Sequence, residues 1–148
     1  MPRFRSAEQA DITAMANLRV REGGTEAYWG DRIAHYLAGA HHPQLALAPR
    51  IAYVAELDGQ VVAFIAGHLS CRFDCQGELQ WLNTAPEHRR RGLATALLKL
   101  LAQWFANHDA RRICVNVAED NAAARAFYLR FGATLLAPHW LVWNELRP

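Results

Sequence analysis

Residues 79–101, LQWLNTAPEHRRRGLATALLKLL, constrain the fold more than any other part of the chain. The first residues of this segment are good strand formers, and Pro86 ends the strand because proline has no N–H to donate. A basic run then leads to Gly92. Beyond Gly92, apolar residues recur at the spacing of a helix, at Leu93, Leu97, Leu100, Leu101 and Trp104. The segment therefore predicts a strand, a basic turn and a helix in direct succession.

The turn between this strand and this helix is a candidate anion site. The first N–H groups of a helix have no acceptor within the helix, and with the positive end of the helix dipole they attract anions. Gly92 lets a ligand approach the backbone closely. Arg89, Arg90 and Arg91 add attraction for phosphate. The pattern R-x-x-G-x-A is a weak signal by itself, however, and is also compatible with a surface loop whose arginines are merely solvated.

Composition limits the classes of protein to which the chain can belong. Its 148 residues are 52% hydrophobic and 20% charged, which is typical of a soluble globular protein, and the length predicts one domain over residues 1–148. The net charge of +2 is too small to indicate nucleic-acid binding on its own. No apolar run reaches the ~18 residues that span a bilayer. The first residues contain no apolar signal core, so we expect a cytoplasmic protein with no membrane partner.

The three cysteines give no indication of a disulfide framework. Cys71, Cys75 and Cys114 are an odd set, which is consistent with reduced thiols in the cytosol. His68 precedes Cys71 and Cys75 at a spacing that resembles a metal site, but a fourth ligand at a recognised spacing is lacking. We therefore expect no metal. Cys114, between two β-branched residues, is most simply a small buried apolar residue.

Before residue 79 the sequence predicts two helices and a hairpin. The expected elements are a strand at residues 3–5, helices from residue 6 to about 22 and at residues 27–38, and a hairpin of residues 51–57 and 60–69. Ser6 is the expected N-cap of the first helix. Residues 39–50, which contain two prolines and paired histidines, predict a loop. Asp58-Gly59 is a strong signal for the hairpin turn.

After residue 101 the pattern returns to strand, helix and strand. Residues 112–117 predict a strand parallel to the one in the opening segment, since strand, helix and parallel strand form a right-handed crossover. A helix follows, with Asp120 as the expected N-cap and Gly132 as its stop. Residues 133–136 and 140–146 predict the last two strands. The elements together predict a central mixed sheet with helices on both faces.

Two motifs resemble those of a known family. Residues 89–94, RRRGLA, resemble the Q/R-x-x-G-x-G/A signature of the GCN5-related N-acetyltransferases (GNAT). Residues 121–132, NAAARAFYLRFG, resemble the N-x-x-A-x-x-x-Y-x-x-x-G pattern of the same family. The resemblance covers about residues 51–136. It implies an α/β (α+β) fold in which a central mixed, mostly antiparallel sheet splays between two parallel strands, with helices on both faces.

The resemblance also implies the activity and the coenzyme. The family transfers an acetyl group from acetyl-coenzyme A (acetyl-CoA) directly to a primary amine, here of a small molecule or a peptide, without a metal. The loop's backbone amides hold the coenzyme's pyrophosphate in that family. Matching positions give the expected coenzyme contacts as Leu82, Asn83, Thr84, Arg89, Arg90, Arg91, Gly92, Leu93, Ala94, Thr95, Asn121 and Tyr128. Acetyl-CoA and an amine acceptor are the implied partners, with no nucleic acid, and a homodimer is left open.

Tyr128 and Glu78 are candidates for acid–base catalysis. Asn121 and Tyr128 are seven residues apart, so they lie on one face of a helix, and by resemblance Tyr128 would protonate the leaving thiolate. Tyr128 is also compatible with a core aromatic residue.

Glu78, eleven residues before Arg89, matches the catalytic glutamate of the family's histone-modifying members. Strand alternation would put Glu78, Gln80, Leu82 and Thr84 on one face. A solvated glutamate at an exposed strand start is the alternative.

The acceptor is less clearly indicated than the coenzyme. The family binds acceptors with its first two helices, their connection and the late hairpin. The corresponding candidates are Glu22, Glu26, Tyr28, Trp29 and Trp140, whose acidic and aromatic side chains suit a cationic amine. Tyr28 and Trp29 are equally compatible with core packing. A longer acyl-CoA donor, or a non-catalytic module that binds the coenzyme or nucleic acid, remains the alternative function.

Overall fold

The computed structural model describes residues 1–40 and 46–148. Within these residues seven strands form one sheet: β1 (Arg3–Ser6), β2 (Ala46–Leu57), β3 (Gln60–Ser70), β4 (Gly77–Thr84), β5 (Ile113–Asn116), β6 (Thr134–Ala137) and β7 (Trp140–Trp143). Their spatial order is β1-β2-β3-β4-β5-β7-β6. Only β4 and β5 are parallel, and the other neighbours are antiparallel. The prediction of a mixed, mostly antiparallel sheet is confirmed.

Four α-helices cover the two faces of this sheet, as predicted. They are α1 (Ile12–Val20), α2 (Glu26–Leu37), α3 (Leu93–Asn107) and α4 (Ala122–Arg130). One apolar core lies under α1 and α2 and contains Met15, Ile33, Tyr36, Phe64 and Trp81. A second core lies under α3 and α4 and contains Ile65, Leu79, Leu97, Phe105 and Tyr128. Among the helices of the described residues, none has the length and apolar character needed to cross a bilayer.

The entry to helix α1 differs from the prediction of a Ser6 N-cap. Ser6 is the last residue of β1 and pairs with Tyr53 of β2. The chain then passes through a 3-10 turn, where the Asp11 carboxylate accepts a 2.7 Å hydrogen bond from the Glu8 N–H and pairs with Arg5. Strand pairing holds Ser6 in the sheet, so a carboxylate five residues later caps the turn instead.

Strand β2 begins earlier than the sequence predicts. Residues 39–50 were expected to form a loop, but β2 starts at Ala46 because its first residues pair with the end of β3. The register shifts between Leu47 and Arg50, and Pro49 lies at this irregularity, where a missing N–H is tolerated. The paired histidines His41 and His42 lie outside the described residues.

Two turn predictions are confirmed and one helix cap is corrected. Asp58 and Gly59 both have positive φ, 52° and 79°, as the expected hairpin turn requires. Gly132 follows α4 with φ 97°, the left-handed conformation expected of the predicted C-terminal stop of this helix. Asp120 was the predicted N-cap of α4, but Asn121 is the cap, since its side-chain Oδ1 accepts a 3.2 Å hydrogen bond from the Ala124 N–H.

Gly77 at the start of β4 provides a test of how tightly the sheet packs against α3. A Cβ at this position would overlap Phe105 and lie 2.9 Å from Cδ1 of Ile113. We therefore expect Gly77→Ala to lower the free energy of unfolding by about 1–3 kcal/mol, the usual cost of overpacking a core. Urea denaturation measures this change.

Gly30 is the matched control, because it lies inside α2 with its nearest neighbour, the Ala16 Cβ, 4.0 Å from a Cβ built at Gly30. There alanine fits and favours the helix by roughly 0.5–1 kcal/mol. Gly30→Ala should thus unfold at the same urea concentration as the parent or a higher one. Equal stability of Gly77→Ala and the parent would show that the core around Phe105 is looser than described.

Candidate active site

The candidate site lies where the two parallel strands separate. The pairing of β4 with β5 covers only three register pairs, from Gly77 with Ile113 to Leu79 with Val115. Past Leu79 the strands diverge and leave a cavity of about 470 Å³. Backbone N–H and C=O groups that face this gap lose their neighbouring-strand partner and become available to a ligand. The cavity thus opens through the sheet itself.

A β-bulge at Gln80 decides which side chains enter the cavity from each face. Ala66 pairs with Trp81 and Gly67 with Leu79, so Gln80 has no partner of its own on β3. Alternation is interrupted at this point. Glu78 faces α1 and α2 together with its partner His68, whereas Leu82 packs in the core under α3.

The prediction that Glu78, Leu82 and Thr84 share a face is therefore wrong. The extra residue at Gln80 shifts the later part of β4 by one position relative to the earlier part. Leu82 and Thr84 face α3, and Asn83 faces α1, where its Oδ1 accepts a hydrogen bond from Arg19. Glu78 and the pair Leu82 and Thr84 consequently approach the gap from opposite faces of the sheet.

Glu78 is buried beside two basic side chains. Only 4% of the residue is exposed, so the alternative of a solvated strand start is wrong. Its Oε1 lies 3.2 Å from the Arg72 Nε and 3.7 Å from the His68 Nε2. His68 is fully buried, and its Nδ1 is 2.7 Å from the Tyr36 hydroxyl. The hydrogen bond from Arg72 fixes the carboxylate at the wall of the cavity.

Tyr128 reaches the same cavity from α4. Its ring packs in the core, edge-on to Trp143 with 5.6 Å between centroids, while the side chain also lines the gap. The residue is 5% exposed, and burial raises the pKa of Tyr128 well above its ordinary value, an effect that the nearby Arg19 opposes. The hydroxyl therefore keeps its proton at neutral pH and can donate it.

A second cavity, of about 830 Å³, lies at the start of α3. Thr84, Arg89, Arg90, Gly92, Leu93, Ala94 and Thr95 line it, together with Phe127 and Arg130 of α4. The first hydrogen bond of α3 runs from the Ala96 N–H to the Gly92 carbonyl, so the N–H groups just before it have no acceptor in the helix. Gly92 has φ 78°, and the space where a Cβ would stand is open. This loop and helix start form the cradle that a pyrophosphate requires.

Strand β4 and helix α4 join the two cavities. Leu82 lines the first cavity and Thr84 the second. Along α4, Asn121 and Tyr128 line the first, whereas Phe127 and Arg130 line the second. An extended ligand that lies between β4 and α4 therefore contacts both. Arg91 is exposed and outside the residues that line either cavity.

The candidate acceptor residues are divided by the structure. Glu22 and Trp140 line the first cavity, Glu22 as an exposed residue and Trp140 half-buried. Trp29 does not line the cavity, but the centroid of its ring lies 4.3 Å from the Cζ of Arg19, which does. Glu26 and Tyr28 are exposed on α2 away from the lining residues, and Tyr28 accepts a hydrogen bond from Arg32.

Sequence reasoning missed two residues that line the first cavity, Arg19 and Arg72, and the position of His68 beside Glu78. Arg19 follows Met15 by four residues on the buried stripe of α1, so its helical spacing was an available signal. Arg72 and His68 carry no local signal, because only the pairing of β3 with β4 brings them to Glu78. Within residues 1–40 and 46–148, no group of three or more His, Cys, Asp or Glu side chains is placed to hold a metal ion.

The sequence is similar to that of known acetyltransferases. Residues 15–133 match the model of the acetyltransferase (GNAT) family. An uncharacterized N-acetyltransferase of Methanocaldococcus jannaschii is 38% identical over 85 residues, which cover 57% of this chain and about half, 53%, of that protein.

Solved structures show the same fold. Ard1 from Thermoplasma volcanium superposes with a TM-score of 0.73 at 18% identity, covering 95% of this chain and 94% of that one. The PaiA N-acetyltransferase from Thermoplasma acidophilum, solved in complex with coenzyme A, superposes with a TM-score of 0.71 at 13% identity over 96% of each chain. With the family match over most of its length, the chain belongs to the GNAT family of acetyltransferases.

Proposed function

We propose that the protein transfers an acetyl group from acetyl-CoA directly to a primary amine. The observation that carries this proposal is the shared cavity at the β4–β5 gap, which a buried carboxylate, Glu78, enters from one face and a protonated hydroxyl, Tyr128, from the other. Such a pair provides the base and the acid that amine acylation needs. Family membership and the N-acetyltransferase relative support the same reaction class.

The residues of the second cavity fit a coenzyme A pyrophosphate. Hydrogen-bond donors come from the free N–H groups at the start of α3, and positive charge comes from Arg89, Arg90 and Arg130. The open space at Gly92 lets the pyrophosphate approach the backbone. The coenzyme, when bound, supplies the acetyl group as an activated thioester. A structural neighbour that contains coenzyme A supports this assignment.

The protein's own groups then transfer protons and stabilise the developing charge. An alkyl ammonium has a pKa near ~10.4, so a base must collect a proton before the amine can attack. Glu78 takes that proton, directly or through one water. Backbone N–H groups at the β4–β5 gap polarise the acyl carbonyl while the amine nitrogen bonds to its carbon. When the C–S bond breaks, Tyr128 gives its proton to the leaving sulfur, and the second proton that the attacking nitrogen loses, passed on through solvent, restores the Tyr128 hydroxyl.

A screen of primary amines tests the function. Purified protein and each amine are incubated with acetyl-CoA or, in a parallel arm, with a longer acyl-CoA, and release of free thiol is followed. We expect thiol release that depends on one class of amine. Coenzyme binding without thiol release for any amine, or release only with longer acyl-CoA donors, would contradict the proposal and favour one of the alternatives.

Gly92→Glu tests the coenzyme cradle separately from the chemistry. The substitution places bulk and negative charge where the pyrophosphate would approach, so we expect coenzyme affinity to fall at least tenfold, about 1.4 kcal/mol. Isothermal calorimetry measures it. Gly39→Glu is the control, since Gly39 has the same φ of 78° and the same open space. Equal affinity in Gly92→Glu and Gly39→Glu would remove the loop from the coenzyme site.

A further inference from the structure

Arg19 is a cation at the first cavity, and no carboxylate of residues 1–40 and 46–148 lies within 4.0 Å of its guanidinium nitrogens. Among the described residues, its one side-chain hydrogen bond is a 3.2 Å contact from Nη1 to the neutral Oδ1 of Asn83. Its Nε is buried and makes no hydrogen bond. Glu22, three residues on, attracts Arg19 but forms no ion pair with it within 4.0 Å. Arg19 thus differs from Arg72, whose charge Glu78 balances.

Aromatic rings hold the Arg19 guanidinium in a fixed position. Its Cζ lies 4.3 Å from the centroid of Trp29 and 5.8 Å from that of Trp81, and the two rings meet edge to face. Such stacking covers a face of the guanidinium but satisfies none of its N–H donors. Burial lowers the pKa of Arg19, which is the direction expected for a cation short of anionic partners. The group is preorganised to receive an anion.

The position of Arg19 identifies which ligand would supply that anion. Arg19 comes from α1, on the same face of the sheet as Glu78 and Asn83. The coenzyme-side residues Leu82 and Tyr128 approach the gap from the other face. Phosphates have their own cradle at the start of α3. The anion that Arg19 lacks therefore belongs to the acceptor.

We propose that the acceptor carries a carboxylate beside its primary amine, as a free α-amino acid does, and that Arg19 binds this carboxylate. The inference rests on the proposed acetyl transfer and names its substrate class. A planar guanidinium recognises a carboxylate through two parallel hydrogen bonds, and a partly dehydrated setting strengthens them. Glu78 lines the same cavity beside Arg72, and Glu22 lines it without an ion pair among the described residues, so the cavity offers an anion to the amine and the Arg19 cation to the carboxylate. This charge pattern complements a zwitterion.

The experiment compares acceptors that differ only in the carboxylate. Proteinogenic L-α-amino acids, their α-carboxamides and the matching decarboxylated amines are each assayed for thiol release from acetyl-CoA. We expect kcat/KM for the best amino acid to exceed that of its carboxamide at least tenfold. Peptides that begin with aspartate or glutamate form a further arm, and their preference over every free amino acid would overturn the assignment to a small molecule.

Variants at Arg19 link the preference to this side chain. In Arg19→Gln the ratio of kcat/KM for acid over amide should fall to within about threefold. Arg19→Lys should keep part of the preference. Arg21→Gln is the control, because Arg21 also lies at the end of α1 but pairs with Glu87 outside this cavity. Unchanged coenzyme affinity in Arg19→Gln verifies the fold.

The possible failures are distinguishable. Equal rates with amino acids and their carboxamides, or a preference that survives in Arg19→Gln, would overturn the carboxylate inference and leave acetyl transfer intact. If coenzyme binds but no acceptor of any arm releases thiol, the proposed function fails and this inference fails with it.

Discussion

Tyr128→Phe is expected to lower turnover by roughly 10² or more and to leave coenzyme affinity nearly unchanged. Phenylalanine keeps the ring that packs against Trp143 in the core but removes the proton donor at the cavity. Steady-state kinetics with the best acceptor and calorimetry with the coenzyme separate the two effects. Because burial raises the pKa of Tyr128, the parent should show no loss of activity from this hydroxyl below about pH 10.

Tyr53→Phe is the matched control for this substitution. Tyr53 is a half-buried tyrosine of β2 that packs against the same core but lies outside both cavities. It should keep the parent's turnover. Equal turnover in Tyr128→Phe and the parent would assign Tyr128 to core packing alone.

Glu78→Gln should depress the rate most at neutral pH, by a factor on the order of 10², with recovery as the pH rises. Glutamine keeps the shape and can still accept the hydrogen bond from Arg72, but it cannot take a proton. At higher pH a larger fraction of the acceptor is already free amine, so less depends on the base. A pH profile of kcat/KM measures this recovery.

An exposed glutamate provides the control for the charge change. Glu145→Gln removes one negative charge outside the first cavity and should keep the parent's profile. Thermal denaturation of both variants checks folding. If Glu78→Gln retains both the rate and the pH dependence of the parent, Glu78 is not the base.

Features set by neighbouring residues were predicted well from the sequence. The hairpin turn at Asp58-Gly59 and the end of α4 at Gly132 depend on positive φ, which a few residues determine by themselves. The parallel pair β4 and β5 followed from the strand–helix–strand order, since a helical crossover connects parallel neighbours. The positions of the loop arginines and of Tyr128 followed from the two motifs, while their roles stay predictions.

Features set by distant partners were not predictable in this way. Serine is a common helix N-cap, but pairing with β2 keeps Ser6 in the sheet. The face that Glu78 occupies depends on the bulge at Gln80, which exists because β3 and β4 shift register, and simple alternation assigns that face incorrectly for the rest of the strand. Arg19 and Arg72 meet at one cavity only after helix α1 has packed on the sheet.

The short ladder between β4 and β5 has a consequence for local unfolding. Strands β1–β4 lie on one side of this boundary and β5, β6 and β7 on the other, and three register pairs connect the two parts of the sheet. Helix α4 lies between β5 and β6 in the chain. Such a weakly hydrogen-bonded boundary is where subglobal opening and amide exchange are expected to start. A molecule that spans the gap binds only the closed arrangement and stabilises it by RT ln(1 + [L]/Kd). Occupancy of the gap and rigidity of the segment that carries Tyr128 are therefore thermodynamically linked.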